Sequence, residues 1–291
     1  MTDEALARAY AECERQARAH YENFPVASRL LPKEVRPHVA AIYAFARQAD
    51  DFADEARYAG QDRIALIGGW QRRLHACAAA RDENPVFLAL GDTINTHHLP
   101  LQPFEDLLTA FRMDVTVTSY ERFEDVLSYC RYSADPVGRL MLLLFGHREE
   151  RLHPLSDAIC TALQLTNFWQ DVGIDLGKGR CYLPREDMRH FGVDDEDLAA
   201  RRYTPRFADL IRFEVQRARP LFARGSALPS LLGGRLGFEI RFVVAGGTRV
   251  LDKIDAVGGD VFGRRPTLTA ADWGRLLLRI AGPGGARGIR P

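Results

Sequence analysis

Two pairs of aspartates at a spacing of four, Asp50 with Asp54 and Asp171 with Asp175, are the groups of this chain best placed to do chemistry together. Residues four apart on a helix point the same way, so each pair directs two carboxylates at one place. A few hard oxygen donors suit Mg²⁺, which keeps waters and phosphate oxygens as its remaining ligands. A cation held there polarises a phosphate leaving group as a Lewis acid. Arg47, Arg180 and the Arg264–Arg265 pair are natural companions, because a guanidinium fork matches phosphate oxygens.

The neighbours of each pair sharpen the picture. In AIYAFARQADDFADE, Tyr43, Arg47, Asp50, Asp51 and Asp54 fall within about a 100° arc of a helix. Ile42, Phe45, Ala46, Ala49 and Ala53 give the other side an apolar character. In LQLTNFWQDVGIDLGKGRCYLP, Gln164, Asn167, Asp171 and Asp175 form a polar stripe about 80° wide. Leu163, Leu165, Phe168, Trp169 and Val172 flank it. A helix with apolar flanks and a stripe of two amides and two carboxylates is suited to face a wet cavity. One acidic face alone is equally a solvated surface, on which like charges four apart are mildly unfavourable. Two such faces across a helical bundle would hold several divalent ions against a diphosphate.

The elements carrying these residues are helical by pattern. Apolar positions recur at three- and four-residue spacing, and Gly and Pro cluster between the periodic segments. This predicts an all-α bundle with helices over 3–20, 33–56, 61–80, 101–117, 120–145, 154–174, 205–224, 237–257 and 269–281. No repeat or linker divides the 291 residues, and 46% apolar content is enough for a large core. The segment 177–205 interrupts the pattern just after the second acidic stripe, as a flap over a site would. The tail 282–291, GPGGARGIRP, has nothing to pack and is expected to be disordered.

Basic and acidic residues balance at 39 each, which gives no global field to recruit nucleic acid. The five cysteines are widely spaced without metal-binding companions, as reduced packing residues of a cytoplasmic protein would be. No apolar run approaches a membrane span. His97–His98 reads as an exposed loop pair, Cys181 as a packed thiol, and Trp70, Trp169 and Trp273 as core anchors. ADWGRLLLRIAG presents Trp273, Leu276, Leu277 and Ile280 either to the bundle, the stronger expectation, or to a membrane surface.

The two acidic neighbourhoods, LLPKEVRPHVAAIYAFARQADDFADE and QLTNFWQDVGIDLGKGRCYLP, resemble in content, order and separation those of the squalene/phytoene synthase family. The likeness runs over nearly the whole chain. It implies one isoprenoid synthase domain over 1–281, with a central cavity between the two aspartate-bearing helices. It implies Mg²⁺, replaceable by Mn²⁺, on Asp50, Asp54, Asp171 and Asp175 with help from Asn167 and Gln164. It also implies diphosphate and pocket contacts from His20, Phe24, Tyr43, Arg47, Tyr129, Arg180, Tyr182 and, more loosely, Lys253 and Arg264.

Within the family, HYENFPVAS, the FWQDV form of the second motif and VVAGGTRVLDKI resemble the hydroxysqualene synthases of the hopanoid pathway. Tyr21 and Asn23 stand where a His-Ser-Lys-Ser-like segment is common, Gln170 where arginine is frequent, and Gly247 where tyrosine is frequent. The missing arginine removes a diphosphate partner, and the missing tyrosine is expected to open space where a carbocation meets water. The implied reaction ionises presqualene diphosphate, rearranges the cyclopropylcarbinyl cation and traps it with water as hydroxysqualene. No NADPH is expected, and no Gly-rich dinucleotide fingerprint follows a strand. The nearest alternative condenses two farnesyl or geranylgeranyl diphosphates to presqualene diphosphate, squalene or phytoene. A helical scaffold or an inactive assembly subunit is the reading outside enzymology, and two complete aspartate motifs disfavour it. The implied partners are the substrate, upstream and downstream squalene-pathway enzymes and, peripherally, the inner membrane face.

Overall fold

Short polar side chains open several helices by bonding amides that the first turn leaves unpaired. Asp62 accepts from the Ala65 amide at 2.9 Å, Asn84 from Val86 at 2.9 Å and Thr204 from Phe207 at 3.2 Å. Pro85 and Pro205 follow two of these caps, where a missing N–H is harmless. The computed structural model describes residues 3–19, 31–58, 61–79 and 82–281. In chain order its helices are α1 (Asp3–Ala19), α2 (Arg36–Asp54), α3 (Arg63–Cys77), α4 (Pro85–His97), α5 (Gln102–Thr116), α6 (Phe123–Ser133) and α7 (Asp135–Leu144). There follow α8 (His153–Gly177), α9 (Arg185–Phe191), α10 (Asp195–Ala199), α11 (Pro205–Gly225), α12 (Leu228–Leu232), α13 (Gly234–Ala256) and α14 (Ala270–Ala281). Among the described residues β structure is limited to an isolated bridge between Ser119 and Cys181. The all-α class is as predicted.

Three local departures have physical reasons. The helix expected over 120–145 breaks between α6 and α7, because Pro136 lacks an amide hydrogen and cannot continue a helix from before it. α4 was not expected, and its capping pair Asn84–Pro85 places His97 at a helix end rather than in a loop. The segment 177–205 holds α9 and α10 and buries Leu183, Met188, Val193 and Leu198, so it is packed rather than loose. The tail 282–291 lies outside the described residues.

The described residues fall into two compact units. The first runs to Thr116 and adds Pro136–Glu149; the second is Val117–Asp135 with the residues from Glu150 on. In the first, α2 packs against α1, α3, α4 and α5. Phe45 sits among Trp70, Phe87 and Phe104 with ring centroids 5.6–6.1 Å apart, and the Trp70 indole donates to the Phe45 carbonyl at 3.2 Å. Each such ring contributes about 1.5–3 kcal/mol by leaving water. In the second unit, α8 packs against α6, α11 and α13. Trp169 is its fully buried anchor.

Candidate functional site

On α2 the buried residues Val39, Ala41, Ile42, Phe45, Ala49, Phe52 and Ala53 turn Tyr43, Arg47, Asp50 and Asp54 to a half-buried arc. The packing thus keeps the carboxylates near the surface while their helix is held in the core. Arg47 lies 2.8 Å from Asp51, 3.3 Å from Asp50 and 3.6 Å from Glu55. Asp51 is itself buried, and Arg57 reaches its second oxygen at 2.6 Å. Of the three clustered aspartates, Asp51 is therefore a structural anchor, and its two arginines come from the same stretch of chain.

In the second unit Gln164, Asn167, Asp171 and Asp175 all lie half-buried on one face of α8, between the buried Leu165, Phe168, Trp169 and Val172. Asp171 has non-helical torsions (φ −108°, ψ 15°), which kink the helix. Both residues at the kink are tied to the segment joining α13 to α14. Arg265 donates to the two Asp171 oxygens at 2.5 and 2.9 Å, and buried Gln170 donates to the Pro266 carbonyl. The Asp171 hydrogen bond favours the charged form of Arg265 against partial burial, and the charges of Asp171 and Asp175 add to it.

Tyr129 of α6 and Tyr182 are brought together in an aromatic stack. Tyr182 lies 3.7 Å from Phe168 at 7°, and Tyr129 stands 5.6 Å from Tyr182 and 6.0 Å from Phe168. Tyr120 completes the group. The turn after α8 is fixed by Arg180 and Cys181, whose amides donate to the backbone carbonyls of Asp175 at 2.9 Å and Thr118 at 2.8 Å. Burial pushes the Cys181 thiol up, consistent with a packed thiol. Lys253 is engaged elsewhere: its ammonium lies 2.5 Å from buried Asp272 and donates to the Thr267 carbonyl at 2.7 Å. Arg264 is exposed, and its neighbour Arg265 is the residue that reaches Asp171. The adjacent arginines were visible in the sequence, but which one meets α8 depends on the path of the loop. His20, Tyr21, Asn23 and Phe24 lie outside the described residues.

The open space expected at Gly247 is not there. A β-carbon at this position would lie 2.6 Å from Phe222 of α11 and 2.8 Å from Leu163 of α8. Side chains of α11 and α8 close on this glycine of α13, so it serves packing.

The donor set on α8 fits a hard cation. Among the described residues no three His, Cys, Asp or Glu side chains converge on one point. A cation there would take one or two carboxylates, an amide oxygen and outside oxygens, which suits Mg²⁺ and not zinc. The Asp171 oxygens already hold a guanidinium, so the place tolerates positive charge.

A family model described as squalene/phytoene synthase matches residues 17–272. The chain is 38% identical over 227 residues to the hydroxysqualene synthase of Zymomonas mobilis, covering 76% of this chain and 75% of that one. It is 30% identical over 274 residues to the 15-cis-phytoene synthase of Synechococcus elongatus, covering 90% and 88%. Among solved structures it superposes on the squalene synthase HpnC of Alicyclobacillus acidocaldarius with a TM-score of 0.82 and 41% identity, covering 88% of this chain and 97% of that one.

Proposed function

The chain belongs to the squalene/phytoene synthase family, and from that premise we propose that it converts presqualene diphosphate to hydroxysqualene with the help of Mg²⁺. The polar face of α8 carries the reading: half-buried Gln164, Asn167, Asp171 and Asp175 between fully packed flanks suit a charged head group. The choice of reaction within the family rests on the greater identity to a protein named hydroxysqualene synthase than to one named phytoene synthase.

Asp171, Asp175 and Asn167, helped by Gln164, would hold a cation in the second unit, and Asp50 and Asp54 would hold one in the first. Mg²⁺, or Mn²⁺ in its place, supplies Lewis-acid polarisation of the departing diphosphate. Arg47 in the first unit and Arg180 in the second each carry a guanidinium fork of the kind that suits diphosphate oxygens. Tyr43 would contribute a diphosphate or pocket contact, the part that the family resemblance also gives to His20 and Phe24. The electron-rich rings of Tyr129, Tyr182 and Phe168 would favour a carbocation beside them, outside the faces that Tyr182 and Phe168 turn on one another. Exposed Leu277 and Leu278, beside Arg275 and Arg279 on α14, suit peripheral contact with an anionic lipid surface. No helix among the described residues is long and apolar enough to cross a membrane.

Presqualene diphosphate supplied alone in ¹⁸O-water, with Mg²⁺ and no NADPH, is expected to give ¹⁸O-labelled hydroxysqualene, and a chelator is expected to stop the reaction. Unlabelled squalene formed only with NADPH would refute this reaction. So would consumption of farnesyl diphosphate with presqualene diphosphate untouched, which is the outcome of the condensing alternative.

A further inference from the structure

The strap between α13 and α14, residues 262–269, is fastened at several points. Phe262 stacks on Phe207 at 4.4 Å, Gln170 bonds the Pro266 carbonyl, Lys253 bonds that of Thr267, and Thr269 donates twice to Asp272 at 2.7 and 2.9 Å. None of these ties uses an aspartate of the proposed cation site. The remaining tie does: Arg265 covers both oxygens of Asp171, at the one non-helical residue inside α8. A cation approaching either oxygen meets a guanidinium already seated there. The pair is reachable without unfolding, since the Arg265 side chain is 42% exposed and that of Asp171 19%.

We propose that Arg265 is the resident counter-ion of Asp171, which a divalent cation must displace, so that cation binding unfastens one end of the strap. This rests on the reading of Asp171 as a cation ligand. Arg265 is thus a positioning residue. In the cation-free protein it neutralises Asp171 and holds the strap against the kink of α8. Once the cation takes the carboxylate, the guanidinium swings free and the strap keeps its neutral ties and the pairs of Arg249 and Lys253 with Asp272. The cation consequently competes with part of the fold, and its affinity in the absence of diphosphate is held down by that competition.

Mn²⁺ binding to the full chain without substrate, followed by loss of the free-ion electron paramagnetic resonance signal, tests this. Arg265→Ala is expected to bind Mn²⁺ about five-fold more tightly than the unaltered chain, the scale of a bidentate, partly exposed ion pair. Arg265→Lys, which keeps the charge and loses the fork, should fall between them. Hydrogen exchange of the 262–269 amides should quicken on adding Mn²⁺ to the unaltered chain. In Arg265→Ala it should be fast already and unresponsive. If Arg265→Ala binds Mn²⁺ no more tightly while Asp171→Asn loses affinity, the pair is an ordinary salt bridge; the latch is overturned and the cation site stands. If Asp171→Asn binds as well as the unaltered chain, the cation reading of Asp171 falls and the latch falls with it.

Discussion

The acidic helices of the two units balance their charge at different range. On α2, Asp51 is paired with Arg47 four residues before it and Arg57 six after, so one stretch of chain carries both signs. On α8, Asp171 is paired with Arg265, 94 positions away. Local pairing makes a carboxylate part of its own helix. Distant pairing makes it a joint between segments, where a change of charge is felt as a change of structure. The same contrast recurs nearby: in the second unit Asp187 of α9 receives Arg217 of α11 at 2.5 Å, and Asp272 of α14 receives Arg249 and Lys253 of α13 at 3.0 and 2.5 Å.

The largest effect expected from this contrast separates turnover from stability. Asp171→Asn should lower turnover about 10²–10⁴-fold, several kcal/mol of lost charge stabilisation, with native circular dichroism. Asp51→Asn should instead lose about 1–3 kcal/mol in chemical denaturation, by leaving two arginines short of a partner, and cost less turnover. Equal collapse of turnover from Asp51→Asn at unchanged stability would break the comparison.

A smaller effect is a pH dependence of opposite sign in the two units. Glu214 is fully buried beside Asp187, with the Arg217 guanidinium 3.5 Å away, and burial pushes its carboxyl up to about 9. The folded chain then keeps a proton that the unfolded chain releases, so this contribution is full below the ordinary carboxylate range and fades as pH rises toward 9. In the first unit His38 and His97 stack edge to face at 4.3 Å, and burial, with the neighbouring positive charge, pushes both down. There the unfolded chain binds the extra protons, so stability is present above about 6.5 and fades as pH falls. Denaturation midpoints from pH 5 to 9 should show Glu214→Gln flattening the alkaline fall. His97→Gln should flatten the acid fall. A Glu214→Gln curve parallel to that of the unaltered chain would deny the distant cluster its charge-sensitive character.

The smallest expected change sharpens the account of the joint itself. Gln170→Ala removes the tie to Pro266 and should cost about 1 kcal/mol. Its hydrogen-exchange signature should be confined to 262–269 and the α8 kink, and faster exchange on α2 would contradict that.

What the sequence made legible follows the same divide. The arc of Tyr43, Arg47, Asp50 and Asp54 and the α8 stripe could be read because a helix converts spacing directly into direction. The role of Arg265 could not, since two adjacent loop arginines have no periodicity to choose between them. α4 went unseen although Asn84–Pro85 signalled its start, because Gly91 and Thr93 weaken its helical pattern. Gly91 is there for a neighbour: a β-carbon would fall 2.2 Å from the Cys77 carbonyl oxygen, a constraint that exists only once α3 and α4 meet. Lys253 was legible as a cation but not as the partner of Asp272, for which the α13–α14 turn must be known.

Gly247 and Phe222 share one side chain's worth of room between α11 and α13, so neither position is free to drift without the other. A related chain with a phenol at the first position should have given up the ring at the second, and the two changes should be inherited together. Grafting α13 alone from such a relative would bring two bulky groups into the same volume, and the hybrid's defect should be relieved by exchanging α11 in the same step.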